Sequence, residues 1–255
     1  MGISKQEAIR KLQTKESYFV AYSQYTKMPY VVCDEESFND QVHVFATEEL
    51  VKEYGKKLLE EKILLMGMKY EKKVFPNLYG LLFSLGVNSV VWHENDETME
   101  VELSDFVRQP DFSKMEEAKR PLFNPTLQLS AMYFLQELRR PLKKEERTVN
   151  LRELEEELLG NLRRSEFLIA VDGDPQNPKN LNVPYMKTKD NQILQPVFSD
   201  INEFAKFAKD KKLRGIKVPF AKLPEAMLKS AQSCTFNPMS INLILSREQI
   251  SKIIG

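Results

Sequence analysis

The sequence is poor in the residues from which common active sites are assembled. It holds only two histidines, His43 and His93. A metal centre built from several imidazoles is therefore ruled out, and a His-based catalytic triad has few options. Nine glycines in 255 residues leave little material for phosphate-cradling loops, and neither the Gly-x-x-x-x-Gly-Lys-Ser/Thr loop nor Gly-x-Gly-x-x-Gly occurs. A nucleophile elbow, a His-Glu-x-x-His helix and an EF-hand loop are absent as well. The two cysteines, Cys33 and Cys234, lie far apart among apolar neighbours and read as small buried thiols instead of a disulfide or a metal pair.

Net charge is missing too. Lys+Arg and Asp+Glu number 37 each, which removes the basic footprint of a protein whose main work is neutralising phosphates. No nucleic-acid partner is expected. No run approaches the ~18–20 apolar residues needed to span a bilayer. Met1 to Leu12 is a charged amphipathic segment, unlike the apolar region of a signal peptide, and Gln6 stands where a myristoylation pattern wants Ser or Thr. These features predict a cytoplasmic protein with no membrane partner.

What is present is a duplicated order of elements. A helix bearing Ala8, Ile9 and Leu12 on one face runs into the strand-like Tyr18-Phe19-Val20-Ala21-Tyr22; a helix bearing Leu151, Leu154, Leu158 and Leu162 runs into Phe167-Leu168-Ile169-Ala170-Val171. Met28-Pro29-Tyr30 is matched by Val183-Pro184-Tyr185, and a short strand ending in Val44-Phe45 by one ending in Val197-Phe198. A helix follows each, capped by Thr47 in the first half and by Asp200, with Glu203 at the third position, in the second. Apolar segments Ile63 to Met68 and Gly215 to Val218 come next, then helices opening at Pro76 and Pro224. Each half closes with two extended segments, and Ser246 with Gln249 reads as a capping box at the start of the last helix.

Between the halves, residues 108–149 carry Pro110, Pro121, Pro125 and Pro141 around one helix near Leu127 to Leu138, whose apolar face of Leu129, Met132, Tyr133, Leu135 and Leu138 needs cover. Net charge is −6 over residues 1–107, +3 over 108–149 and +3 over 150–255. The overall zero conceals a dipolar chain.

Candidate chemistry is sparse. His93 stands beside Trp92 and before Glu94-Asn95-Asp96-Glu97, so a His-carboxylate relay can be drawn, but a solvated hairpin loop is the expectation. His43, between Val42 and Val44, is expected to point away from the core by strand alternation. Asp172-Gly173-Asp174 follows a strand but has no third acidic ligand at suitable spacing, and Pro175, Asn177 and Pro178 give it the character of turns. Lys206, Lys209, Lys211, Lys212 and Arg214 read as a solvated basic helix end, since no aromatic platform interleaves with them. Asn88 and Asn237 fall late in their halves at matching places and are candidate binding residues, although an amide there also fixes turns. Tyr30 and Tyr185, each after a proline, are the aromatic candidates for a binding surface, with strand packing as the alternative.

The strand Phe167 to Val171, the Val183-Pro184-Tyr185 turn, Pro196-Val197-Phe198-Ser199-Asp200 before a helix, and Phe236-Asn237-Pro238 followed by Ile241-Asn242-Leu243-Ile244-Leu245 together resemble the N-terminal domain of the SseB family, the enhanced-serine-sensitivity proteins of bacteria. The first half is similar to a more distant copy: it keeps Val44-Phe45-Ala46-Thr47 but has Val87-Asn88-Ser89 where Asn-Pro is wanted. The resemblance implies a compact α/β domain of bacterial cytosolic proteins with no established catalytic residues and no required cofactor. The expectation is an α/β protein of two tandem mixed sheets covered by helices, with domains at 1–107 and 150–255 and a helical connector at 108–149. Function is expected to be non-catalytic binding or regulation through protein surfaces, with a protein partner and no metal. Two alternatives stand beside it: a small-ligand sensor or enzyme with its site in the cleft between the domains, and an immunity or adaptor protein that binds a basic partner.

Overall fold

The computed structural model describes residues 2–109, 111–173, 181–209 and 211–255. The chain forms two compact units: Met1–Asp111 with Ala131–Arg152, and Phe112–Ser130 with Glu153–Gly255.

In the first unit, helix α1 (Lys5–Thr14) starts where the Ser4 hydroxyl accepts the Glu7 N–H, and it buries Ala8 and Leu12. Strands β1 (Ser17–Ser23), β2 (Val31–Cys33) and β3 (Asp40–Phe45) follow. Helix α2 (Glu48–Leu59), capped by Thr47, leads to β4 (Leu65–Glu71). Helix α3 (Phe75–Leu85) has Pro76 in its first turn and ends at Gly86, whose φ of 81° suits the left-handed closing residue of a helix. The hairpin β5 (Ser89–Glu94) and β6 (Glu97–Glu102) completes the sheet. Its strand order is β4-β1-β3-β5-β6, with β2 paired to β3; β3 and β5 run parallel and the remaining pairs antiparallel.

Alternation sorts the strand residues onto two covered faces. On one, Tyr18, Val20, Val44 and Trp92 are buried; Tyr18 stacks on Phe75 of α3 at 4.0 Å, and its hydroxyl donates to that of Tyr79 at 2.9 Å. On the other, Ala21 and Phe45 pack with Val51, Leu50 and Tyr54 of α2.

Helix α4 (Pro125–Leu138) contains the division between the units. Its second half serves the first unit, where the Gln136 amide accepts the Val31 N–H and donates to the Val31 carbonyl, both at 2.9 Å. Leu127, Met132 and Leu135 are buried, but Leu138 is exposed, so the covered face is narrower than its apolar residues suggest.

The second unit repeats the plan with α5 (Leu151–Arg164), β7 (Glu166–Val171), β8 (Met186–Lys187), β9 (Ile193–Phe198), α6 (Ile201–Ala208), β10 (Arg214–Pro219), α7 (Leu223–Ala226), β11 (Ser233–Phe236), β12 (Leu243–Ser246) and α8 (Arg247–Ile254). Strand order is β10-β7-β9-β11-β12 with β8 on β9, and β9 with β11 is the parallel pair. The expected capping box of Ser246 and Gln249 is formed. Two similar mixed sheets in tandem, each covered by helices and closed by a hairpin, agree with the sequence reading of the fold. Among the described residues no helix is long and apolar enough to cross a membrane. Cys234 is buried as expected, whereas Cys33, at the end of the three-residue β2, is exposed.

Candidate functional site

The ladders put the two units in register and correct the pairing of motifs read from sequence. Phe45 and Phe198 each lie two residues before a helix cap, and they pair with Phe19 and Leu168. In the parallel pairs Val44 faces Trp92 and Val197 faces Phe236. The structural counterpart of Asn237 is therefore His93, and that of Asn88 is Gln232. The Asn88 and Gln232 side-chain oxygens do the same work, accepting the first N–H of the neighbouring strand from Asp40 at 2.9 Å and from Ile193 at 2.7 Å. Asn88 and Asn237 thus occupy opposite ends of corresponding strands.

The tyrosines are also out of step. Val32 pairs with Gln41 and Met186 with the equivalent Leu194, so Tyr185 corresponds to Val31 and Tyr30 to Pro184. A one-residue offset in a strand reverses the face a side chain occupies. Tyr30 is half-buried, and burial pushes its hydroxyl up to about 12, whereas Tyr185 is 50% exposed, with the Lys187 ammonium 5.8 Å from its ring centre.

The carboxyl ends of the parallel strands are where α/β sheets commonly hold ligands. In the first unit that place contains both histidines. His43 Nδ1 lies 2.7 Å from His93 Nε2, with Tyr54 stacked on His43 at 4.8 Å and Phe45 on His93 at 4.3 Å. This corrects both sequence expectations. His93 belongs to β5 and not to a solvated loop, and His43 does leave the Val42/Val44 face, but onto a second face covered by α2. Glu94, the drawn carboxylate partner, is engaged instead by Lys11 and by the Trp92 ring N–H.

Ring centres 5.0 Å apart and nitrogens 2.7 Å apart mean that the two imidazoles meet end to end. That geometry shares one proton along the N···N line; it does not aim two lone pairs at a third atom. Burial depresses both, His43 to about 4 and His93 to about 3, with the positive charges of His43 and Lys57 adding to the effect on His93. Near neutral pH the pair is uncharged. Among the described residues no group of three or more His, Cys, Asp or Glu is placed to hold a metal ion.

The same place in the second unit is a buried polar junction. Asn237, at φ 48°, accepts the Ser199 N–H at 2.8 Å and donates to the Ser199 hydroxyl at 2.7 Å. That hydroxyl donates to Asp200 at 2.8 Å, and Asp200 also takes the amide of Gln128 from α4 while capping α6 through the Asn202 and Glu203 N–H groups. Burial is the largest influence on Asp200 and raises its carboxyl. Glu203 turns to Ser240 at 2.6 Å and to Lys206. Asn237 is thus committed to joining β11 to the start of α6.

This junction lies within the stretch that carries the family signal. Residues 147–252 match the SseB protein N-terminal domain. The SseB-type segment thus spans all of β7 to β12 and most of α8, and Pro196 to Asp200 with Phe236 to Pro238, which carry the resemblance, form its β9–α6–β11 junction. A solved structure, Anabaena Tic22 (protein transport), aligns over 88% of this chain and 86% of its own, at 10% identity and a TM-score of 0.22. No curated protein matches the sequence.

Among the other sequence candidates, Asp174, Pro175, Asn177 and Pro178 lie outside the described residues. Asp172 exchanges backbone hydrogen bonds with Asn182. Lys206 pairs with Glu203, and Lys211 lies over the Phe207 ring at 4.3 Å. The meeting of the two histidines and the contacts of Gln128 and Gln136 have only faint signals in the sequence. Those signals are that each histidine lies within or directly beside an apolar strand segment and that two glutamines interrupt the apolar positions of α4.

Proposed function

We propose that this chain is a non-catalytic binding protein of the bacterial cytosol, of SseB type, that works through its protein surfaces, with the first unit a diverged copy of the second. The observation that carries the reading is the state of the two strand-end sites. Asn237, Ser199 and Asp200 are turned on one another and on backbone N–H groups, and the histidine pair is neutral and end to end. The Ser199 hydroxyl does donate to the Asp200 carboxylate, but both side chains are buried, so neither site presents to solvent a nucleophile beside a base, the arrangement covalent catalysis requires. Apolar side chains do reach solvent on the β11–β12 hairpin, where Met239 is 60% and Ile244 46% exposed, and such residues are the usual anchors of a partner.

The test has two arms. Purified protein screened against general hydrolase and transferase substrates is expected to show no turnover that a point substitution abolishes; any such turnover overturns the reading. In affinity purification from the native host the parent chain is expected to retain a protein partner that the variant carrying Met239→Asp and Ile244→Asp loses while keeping its melting temperature.

A further inference from the structure

The two sheets end on corresponding edge strands, β4 and β10, and among the described residues only β10 carries a guard. In the β1–β4 ladder the Gln24 N–H reaches the Leu64 carbonyl and the Lys72 N–H the Glu16 carbonyl, both at 2.9 Å. Antiparallel alternation then turns the backbone of Met66, Met68 and Tyr70 inward to β1. Leu65, Gly67, Lys69 and Glu71 present their N–H and C=O groups outward. In the β7–β10 ladder the Phe220 N–H to Ser165 carbonyl bond at 3.0 Å fixes the same alternation, so Gly215, Lys217 and Pro219 face outward.

Lys69 pairs with Phe19 and Lys217 with the equivalent Leu168, which makes Gly67, Lys69 and Glu71 the counterparts of Gly215, Lys217 and Pro219. On β10 the outward row is broken by proline, which has no N–H, and Lys217 is tied to the Arg120 carbonyl at 2.8 Å. Both are ways of protecting a sheet edge. On β4 the proline position is Glu71, and Gly67, Met68, Lys69 and Glu71 are exposed. Of its outward groups, the Leu65 carbonyl is met by the Gln24 amide at 3.0 Å.

We propose that β4 pairs with β4 of a second copy of this chain, antiparallel about a two-fold axis through Tyr70. Charge selects both the occupant and the register. With the axis at Tyr70, Lys69 stands opposite Glu71 of the second copy, and Glu71 opposite the second copy's Lys69, so two opposite-charge pairs form across hydrogen-bonded positions. An axis at Met68 sets Lys69 against glycine and brings the two Lys69 side chains into diagonal proximity. Glu71 now pairs with Lys73 at 2.8 Å, but both side chains are more than half exposed, and such a contact exchanges readily for another. The dent lined by Glu16, Ser17, Lys69, Glu71, Lys72 and Lys73 lies at this end of the strand, where the second copy's chain leaves the ladder. A dimer of this kind is compatible with the binding role proposed above and does not depend on it.

Sedimentation velocity across a concentration series, with full-length protein, tests the proposal. The protein is expected to form a concentration-dependent dimer in which the Lys69 and Glu71 amides gain protection from hydrogen exchange. Lys69→Glu alone and Glu71→Lys alone each set like charges opposite and are expected to weaken the dimer about tenfold or more. The double variant Lys69→Glu, Glu71→Lys restores opposite charges and is expected to return the constant to within about threefold of the parent. These side chains are exposed, and circular dichroism verifies that each variant is folded. The proposal is overturned by a monomer at every concentration, by a dimer indifferent to the single reversals, by failure of the double variant to recover, or by an extended segment of a different protein lying along β4.

Discussion

The histidine pair shows how a residue's neighbours decide what its chemistry amounts to. Two imidazoles that are ordinary bases in the unfolded chain become neutral, proton-sharing groups once β3 and β5 align. Their folded pKa values are depressed below the unfolded value of ~6.5, so below that pH the unfolded chain binds more protons than the native one. The contribution to stability is complete above pH 6.5 and is lost as the pH falls toward the folded values of about 4 and 3. After discounting for partly exposed rings, a loss of about 2 kcal/mol between pH 6.5 and pH 4 is expected. Denaturant melts at the two pH values measure it. The double variant His43→Gln, His93→Gln is expected to show a flatter profile over that window, and an equally steep one would mean that other groups carry the acid sensitivity. At the same position of the second sheet, Asn237 does unrelated work, joining β11 to Ser199 at the start of α6. One topological position therefore hosts two chemistries, which the residue types by themselves did not align.

At the scale of elements, most of the fold was legible. Thr47, Asp200 and Ser246 cap the helices for which their side-chain acceptors suit them, and Pro76 and Pro224 open α3 and α7. Caps and periodicity are local and are read from a few adjacent residues. The strand offsets were not legible, because Met28-Pro29-Tyr30 and Val183-Pro184-Tyr185 look alike while their pairing to β3 and β9 differs by one residue. Helix α4 gives the sharpest case. Its apolar stripe is plain in sequence, yet Gln136 on that helix holds the Val31 backbone at two points. Gln136→Ala leaves a buried N–H and carbonyl without partners and is expected to cost about 1–3 kcal/mol. Hydrogen exchange at the Val31 amide is the specific readout, since loss of helix packing alone would not single out that amide.

For the whole molecule, the consequence of α4 is that the second unit is discontinuous in sequence. Asn124 donates to the Ser199 carbonyl at 2.6 Å and to the Glu166 carbonyl at 2.7 Å, Gln128 to Asp200, and Asn161 to the Ser130 hydroxyl at 3.0 Å. A fragment of residues 150–255 lacks the first member of the first three pairs and the acceptor of the fourth. It is expected to be several kcal/mol less stable than a fragment of residues 112–255, because it loses the hydrogen bonds that Asn124 and Gln128 make to the β9–α6 turn together with the packing of that segment. Thermal melts of the two fragments decide the matter; equal melting temperatures would show that the α4 contacts are dispensable.

The sequence by itself determined the order of elements, their caps, the mixed α/β class and the repetition of one plan twice, since each follows from periodicity and end chemistry within about a dozen adjacent residues. It also determined which site types have no material here, because their spacing is local. Only tertiary structure decided which residues meet: His43 with His93 across fifty residues, Gln128 with Asp200 across seventy-two, and Pro219 but not Glu71 guarding a sheet edge. Strand register and helix docking are set by summed packing of distant segments, and a single-residue shift moves every side chain to the opposite face without disturbing any local pattern.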